Sequence, residues 1–324
     1  MKKIISILIL LSLFTLNSCL FLDNDKDSTV RIGYLAGPTG MGMAKMIIDN
    51  NGLDGGNEKY TFTKYADTTT AMQDLEVGRV DIICLPTSDA ANYQTSVDNE
   101  AKVLALNCLN SLFLISENGQ KLEDFEGKTI YTCKNGTPRI VLEYLINALS
   151  LNVEISYTVD GKEMKSPDDV VAEMMAQKIP NAVLPEPKAS TLLMKINTSA
   201  TLRPSVALTN LGDYWDKVSQ TPIAMGCVLA SGNFVKNNKE SIDCFLADYK
   251  ASIEFIANEA NFDSAAEYIQ QTGIIPSLPM ARAALLNLTN SIIYMDGEEM
   301  KNTLISFYLC IGITQPSIDF FYEK

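Results

Sequence analysis

Two successive runs of alternating strand and helix patterns, followed by a helical remainder, constrain this 324-residue chain more than any single motif. Short apolar segments bounded by turn residues read as buried strands, and the 3.6-residue periodicity between them reads as amphipathic helices. In the first run "TVRIGYLA" is a strand, 41–50 a helix, "KYTFTKYA" a strand, 69–77 a helix and "VDIICLP" a strand. A short helix over 88–95 and the strands "KVLALN" and "SLFLIS" complete it. The second run has strand "KTIYTC", helix 139–148, strand "VEISYT", helix 167–177, strand "NAVLPE" and helix 189–195. After "TNLGDYWDKVSQTP" comes the strand "IAMGCVLAS", and 239–308 reads as largely helical with a break at "TGIIPSLP". The fold class is therefore α/β, with mostly parallel sheets wrapped by crossover helices. The chain is expected to leave one lobe, build a second and return. Lobe 1 comprises 29–110 plus 222–324 and lobe 2 comprises 111–221, with hinges near 108–113 and 208–225. A ligand cleft then lies between the lobes at the carboxyl ends of the strands.

The amino terminus, "MKKIISILILLSLFTLNSCLFLDNDKDS", has two lysines, an apolar run over 4–16 and then a polar stretch. That run is too short to span a bilayer comfortably, so 1–18 reads as an export signal. Leu16-Asn17-Ser18-Cys19 resembles a bacterial lipobox, in which Cys19 is lipidated and becomes the first mature residue, with 19–28 as a tether. Removing 1–18 takes away two lysines and no acids, leaving 24 basic and 39 acidic side chains and a net charge of −15. Such a surface repels nucleic acid and anionic lipid and favours solubility. Cys84, Cys108, Cys133, Cys227, Cys244 and Cys310 show no C-x-x-C spacing, and most sit in apolar segments, so they read as buried free thiols.

There is no histidine. Ser-His-Asp and Cys-His nucleophilic sites, His-ligated metals and His general bases are thereby excluded. Carboxylate, lysine and cysteine chemistries remain allowed in principle, but none of their spacing signatures occurs. No catalytic residue, metal or cofactor is assigned, and the chain reads as a non-enzyme.

The stretch "GPTGMGMAKMIID" places Gly37, Gly40 and Gly42 between a strand and a helix. A Walker loop would need Lys and Ser/Thr directly after Gly42, but Met43 and Ala44 follow; a dinucleotide fingerprint from Gly40 would need glycine where Lys45 stands. Nucleotide binding is thus not supported, which leaves a structural turn or a ligand approach to helix-start N–H groups.

Taken in order, "GPTGMGM", "LPTSDA", "ALNCLNSLF", "KNGTP", "LPEP" and "PIAMGCV" resemble the substrate-binding proteins of ABC importers. The likeness is to their nitrate/sulfonate/taurine and thiamine-pyrimidine-precursor branch, and it extends over roughly 29–322, including "DGEEMK". The resemblance implies the two-lobed type II periplasmic-binding architecture. It implies capture of a small solute between closing lobes, delivery to a permease and its ATPase, a monomer, and lipid anchoring outside the cytoplasm, in the periplasm or at the cell surface. On this reading Gly37, Thr39, Gly40 and Met41 offer N–H groups and a hydroxyl, Thr87 and Ser88 open the next helix, and Asn107 and Asn110 sit at the hinge. Asn135, Gly136 and Thr137 form the opposing helix start. Thr39, Ser88 and Thr137 also fit plain N-caps. Met225, with Met41, Met43 and Tyr34 or Tyr131, would form an apolar slot, although Met43 also suits the core. Glu186, between two prolines, would select for an amine or protonatable heterocycle if it faces the cleft, whereas helix starts favour an anion. The ligand therefore stays open. Two rivals are a ligand-sensing lipoprotein without a transport role and a thiamine-pyrimidine synthase, whose chemistry relies on the histidine this chain lacks.

Overall fold

The computed structural model describes residues 29–96, 100–117, 119–198, 206–314 and 317–323. The expected signal, lipidated Cys19 and tether lie outside the described residues. Among the described residues, no helix is long and apolar enough to cross a membrane.

The chain opens with β1 (Val30–Leu35), β2 (Tyr60–Tyr65), β3 (Ile82–Pro86) and β4 (Lys102–Leu109). The chain then crosses into β5 (Leu112–Ser116), β6 (Thr129–Tyr131), β7 (Glu154–Ser156) and a small hairpin, β8 (Thr158–Val159) and β9 (Lys162–Glu163). It continues through β10 (Asn181–Pro185) and β11 (Ala207–Asn210), returns in β12 (Ala224–Ala230), and adds β13 (Ile292–Met295) near its end. Six strands pair in the order β13-β4-β12-β3-β1-β2, and a second sheet has the order β10-β5-β11. The two-stranded β6–β7 sheet joins this second sheet through a side chain: Asn181 Oδ1 accepts from the Tyr131 N–H at 3.3 Å, and its Nδ2 donates to the Thr129 carbonyl at 3.1 Å.

The expectation of mostly parallel sheets holds for β1, β2 and β3 and for the β6–β7 pair, which run parallel, but needs correction for the returning and crossing strands. β12 lies antiparallel between β3 and β4, and β10 and β11 are both antiparallel to β5. The cause is the double crossing. A strand that returns from the far lobe enters the first sheet from the cleft side and must run against the strands that ended there. β13, antiparallel to β4 at the sheet edge, falls in the stretch read as helical, because four residues are too few to reveal a period of two.

Strand alternation organises the core. In β3, Ile82 and Cys84 join one apolar cluster while Ile83 and Leu85 join the other, as opposite faces of a pleated strand require. β5 repeats this, with Phe113 and Ile115 on one side and Leu112 and Leu114 on the other, so both clusters run from the first sheet into the second. Helices cover both faces; Lys239–Ile256 and Gly297–Cys310 are the longest.

The helix expected over 41–50 is two helices, Pro38–Met41 and Ala44–Asp49. The break occurs where Lys239–Ile256 packs on bare backbone: a Cβ on Gly42 would lie 2.6 Å from Ile253. Ser252 secures the junction, its hydroxyl donating to the Gly42 carbonyl at 2.6 Å and accepting from the Met46 N–H at 3.0 Å.

The cysteine expectation also needs one correction. Cys84, Cys108, Cys133 and Cys227 are buried and free, and Cys310 is free and half-buried, but Cys244 is disulfide-bonded. Cys84, Cys108 and Cys227 lie on inner strands of the first sheet, whereas Cys244 lies on the helix Lys239–Ile256.

Behind the crossings, the fully buried Trp215 packs with Tyr144 at 4.6 Å and with Phe307 at 5.6 Å between ring centroids. Phe307 belongs to the helix Gly297–Cys310, so this aromatic trio ties the C-terminal helix to the second sheet's helices. Phe307→Ala should cost about 3–5 kcal/mol in urea denaturation. A loss under about 1 kcal/mol would show that the trio is not a fixed core contact.

Candidate ligand-binding cleft

The carboxyl ends of β1, β3, β6 and β10 converge on a cavity of ≈ 280 Å³. A small solute fits such a space. Seven residues singled out from the sequence line it: Thr39, Ser88, Asn135, Gly136, Thr137, Glu186 and Met225.

The two sides touch. Ser88, in the first turn of the helix Thr87–Ser96, meets Thr137, which opens the helix Thr137–Ala148; their hydroxyls are 3.2 Å apart and buried. On the far wall Glu186 follows β10. Its Oε1 accepts from Asn287 Nδ2 at 2.8 Å and from Ser190 Oγ at 2.9 Å, and its Oε2 accepts from the Ser190 N–H at 3.1 Å. Asn287 Nδ2 also donates to Ser190 Oγ at 3.0 Å. Asn287 ends the helix Leu278–Asn287, which follows β12, so a single carboxylate joins segments from both sides of the crossings.

The remaining candidates lie outside the cavity wall. The N–H groups of Gly40 and Met41 donate to the Gly37 carbonyl at 3.0 and 3.1 Å and are not offered to a ligand. Gly40 is a close-approach site: a Cβ there would lie 2.2 Å from the Leu35 carbonyl oxygen. Gly37 faces the Pro187 ring, which a Cβ would meet at 3.3 Å. Thr87 donates its hydroxyl to the Ala224 carbonyl at 2.5 Å, and its own carbonyl accepts from Tyr308 Oη at 2.6 Å. Asn107 Nδ2 donates to the Thr39 carbonyl at 3.0 Å and to Tyr249 Oη at 2.9 Å, so it holds the first turn onto β4. Asn110 ties the two crossings together: its N–H donates to the Ile223 carbonyl at 2.9 Å, and its Oδ1 accepts the Ile223 N–H at 2.8 Å.

Three polar lining residues escaped the sequence reading. Asp89 adjoins Ser88 in the same helical turn; Ser111 sits at the crossing, with a buried hydroxyl that has no hydrogen-bond partner; Cys133 ends the segment after β6. The Ser-Asp pairing at 88–89 was a usable signal for the first, while nothing in the sequence connects Asn287 with Glu186.

Electrostatically the wall is acidic and partly dry. Burial raises the Glu186 carboxyl above its usual range, against the lowering effect of its bonds to Asn287 and Ser190. Burial likewise raises Asp89, opposed by a hydrogen bond with Thr68. Burial pushes the Cys84 and Cys108 thiols up to about 12, so neither is a nucleophilic thiolate near neutral pH. Among the described residues no group of His, Cys, Asp or Glu is arranged to hold a metal ion.

No family model matches the chain, and no curated protein matches it. Solved structures do. An ABC transporter protein from Parabacteroides distasonis aligns with TM-score 0.70 at 20 % identity, over 92 % of this chain and all of that one. The periplasmic aliphatic sulphonate binding protein SsuA from Escherichia coli aligns with TM-score 0.67 at 15 % identity, over 91 % and 92 %. The periplasmic nitrate-binding protein NrtA from Synechocystis PCC 6803 aligns with TM-score 0.63 at 13 % identity, over 90 % and 84 %.

A raised carboxyl makes stability depend on pH. Between the ordinary value of 4.5 and the raised value of Glu186, the folded state keeps a proton that the unfolded chain has released, so stability falls as pH rises through that window. Asp89 contributes with the same sign. Glu186→Gln should therefore gain stability relative to wild type as pH is raised above 4.5 in paired denaturation series. A wild-type-minus-variant difference that stays flat to pH 8 would contradict it. With two sheets around one cleft, a double crossing and these structural neighbours, the chain has the fold of the type II periplasmic binding proteins.

Proposed function

We propose that the chain is the extracytoplasmic solute-binding lipoprotein of an ABC importer, anchored through Cys19 and acting as a monomer. It captures a small organic solute between two lobes, 29–110 plus 222–324 and 111–221, and presents it to a permease and its ATPase. The observation that carries this reading is the contact of Ser88 with Thr137 over the cavity, made by helix starts on opposite sides of the crossings. A solute that touches both sides only when they are together shifts an opening equilibrium by its differential affinity for the closed state. The export signal and the likeness to an ABC transporter protein, a sulphonate binding protein and a nitrate-binding protein support the same reading. Binding of this kind needs no catalytic group, and the histidine on which pyrimidine-synthase chemistry relies is missing from the sequence.

Thermal unfolding and native mass spectrometry of the chain from Asn24 onward test the proposal against taurine-like anions, pyrimidines, amino acids and amines. A true ligand should add about 2.7 kcal/mol at a hundredfold excess over its dissociation constant. It should also alter the emission of Trp215, the sole tryptophan, which packs across the crossings. No shift and no bound mass across the whole panel would contradict the proposal.

A further inference from the structure

Helix starts favour an anion in this cleft, and Glu186 favours an N–H donor. We propose that the cleft takes a compact, largely apolar solute bearing an N–H donor, neutral or singly protonated, and that it rejects oxyanions such as sulfonates and nitrate. The proposal rests on the solute-binding reading above and adds the chemistry of the ligand.

Charge is the first ground. The described residues lining the cavity include the carboxyls of Glu186 and Asp89 and no lysine or arginine. Three cations close in sequence to the wall are engaged elsewhere: Arg139 with Glu143 at 2.7 Å and the Lys134 carbonyl at 3.1 Å, Lys188 with Asp168 at 2.5 Å, and Lys134 with Glu163 at 2.5 Å. An oxyanion would lose its hydration beside two acidic groups with no counter-charge.

The backbone gives the second ground. An oxyanion cradle needs free first-turn N–H groups, and three helices that open on the cavity place a proline there instead: Pro38, Pro138 and Pro167. Proline has no N–H, so each of these helix starts lacks one first-turn donor and shows an apolar ring at the wall in its place. The Gly40 and Met41 N–H groups are taken by the Gly37 carbonyl, and that of Ser190 by Glu186. The helix Thr87–Ser96 carries Asp89 in its first turn, which offsets the positive end of its dipole.

The unfilled hydrogen-bonding capacity is the third. Glu186 Oε2 accepts one bond, from Ser190, although a carboxylate oxygen can accept more. Ser111 Oγ is buried without a partner at the wall, and a buried hydroxyl is normally satisfied. A solute that donates N–H to Glu186 and accepts from Ser111 completes both. Burial, which disfavours charge on the two carboxyls, is relieved by a protonated partner.

The test is native mass spectrometry and calorimetric titration of the chain from Asn24 onward with size-matched pairs that differ in head group, such as 2-phenylethylamine and 2-phenylethanesulfonate. Cytosine serves as the neutral N–H donor and nitrate as the small oxyanion. Amines or cytosine should be preferred by about tenfold or more, the scale of one charge-assisted hydrogen bond. Glu186→Gln should lower their affinity by a similar factor, and Asp89→Asn gives an independent reading if the first variant folds poorly. Sulfonate or nitrate bound as tightly as the amines would overturn the ligand class while leaving solute binding intact. Absence of any adduct in this set would also overturn the ligand class, and solute binding would then be decided by the broader panel above.

Discussion

Everything the cleft can do depends on two chain crossings being held side by side. Asn110 does this with both its main chain and its side chain, exchanging hydrogen bonds with the Ile223 carbonyl and N–H at 2.9 and 2.8 Å. It adopts a left-handed φ of 47°, which asparagine tolerates better than most residues. Next to it Leu211 donates its N–H to the Leu112 carbonyl at 2.9 Å, so the outgoing and returning strands leave as a pair. Both crossings therefore run together, with an apolar cluster continuing from the first sheet into the second on either side of them.

That geometry explains the distribution of polar contacts. Around the crossings they are main-chain bonds and buried side-chain bonds from Thr87, Asn107 and Asn110. At the cavity they are few and made by side-chain tips: one hydroxyl pair and one carboxylate with its amide and hydroxyl partners. The first set is costly to break because its groups are buried and paired. The second involves few groups, and under the proposed function these bonds are exchanged for bonds to a solute when the two sides part and close.

Much of this was legible in the sequence, for identifiable reasons. Short continuous apolar runs such as "DIICLP" and "SLFLIS" announce strands that are buried on both faces, and the double α/β series implies the two sheets. Turn chemistry led to Ser88, Thr137 and Glu186 because Gly, Pro and hydroxyl residues concentrate where strands end. Strand direction was not legible, since antiparallel insertion of β12 follows from the return path and leaves no local pattern. Spacing alone does not say what a bare backbone admits: at Gly40 and Gly42 it is another part of the protein that approaches, and a Cβ there would lie 2.2 Å from the Leu35 carbonyl oxygen and 2.6 Å from Ile253. Asn287 and Ser111 were missed because their significance is purely spatial, one lying 101 residues beyond its carboxylate partner and the other being an ordinary serine until its burial is seen.

Cleft closure can be measured directly by pulsed electron spin resonance between labels on the exposed residues Thr69, from the first sheet's side, and Lys165, from the second. The free native cysteines of the described chain are mostly buried and should label poorly. Two lobes hinged at Asn110 and Ile223 predict a distance distribution that is broad without solute and collapses onto a single shorter distance when a solute binds. One narrow distance, unchanged by a solute that binds tightly, would contradict hinged capture.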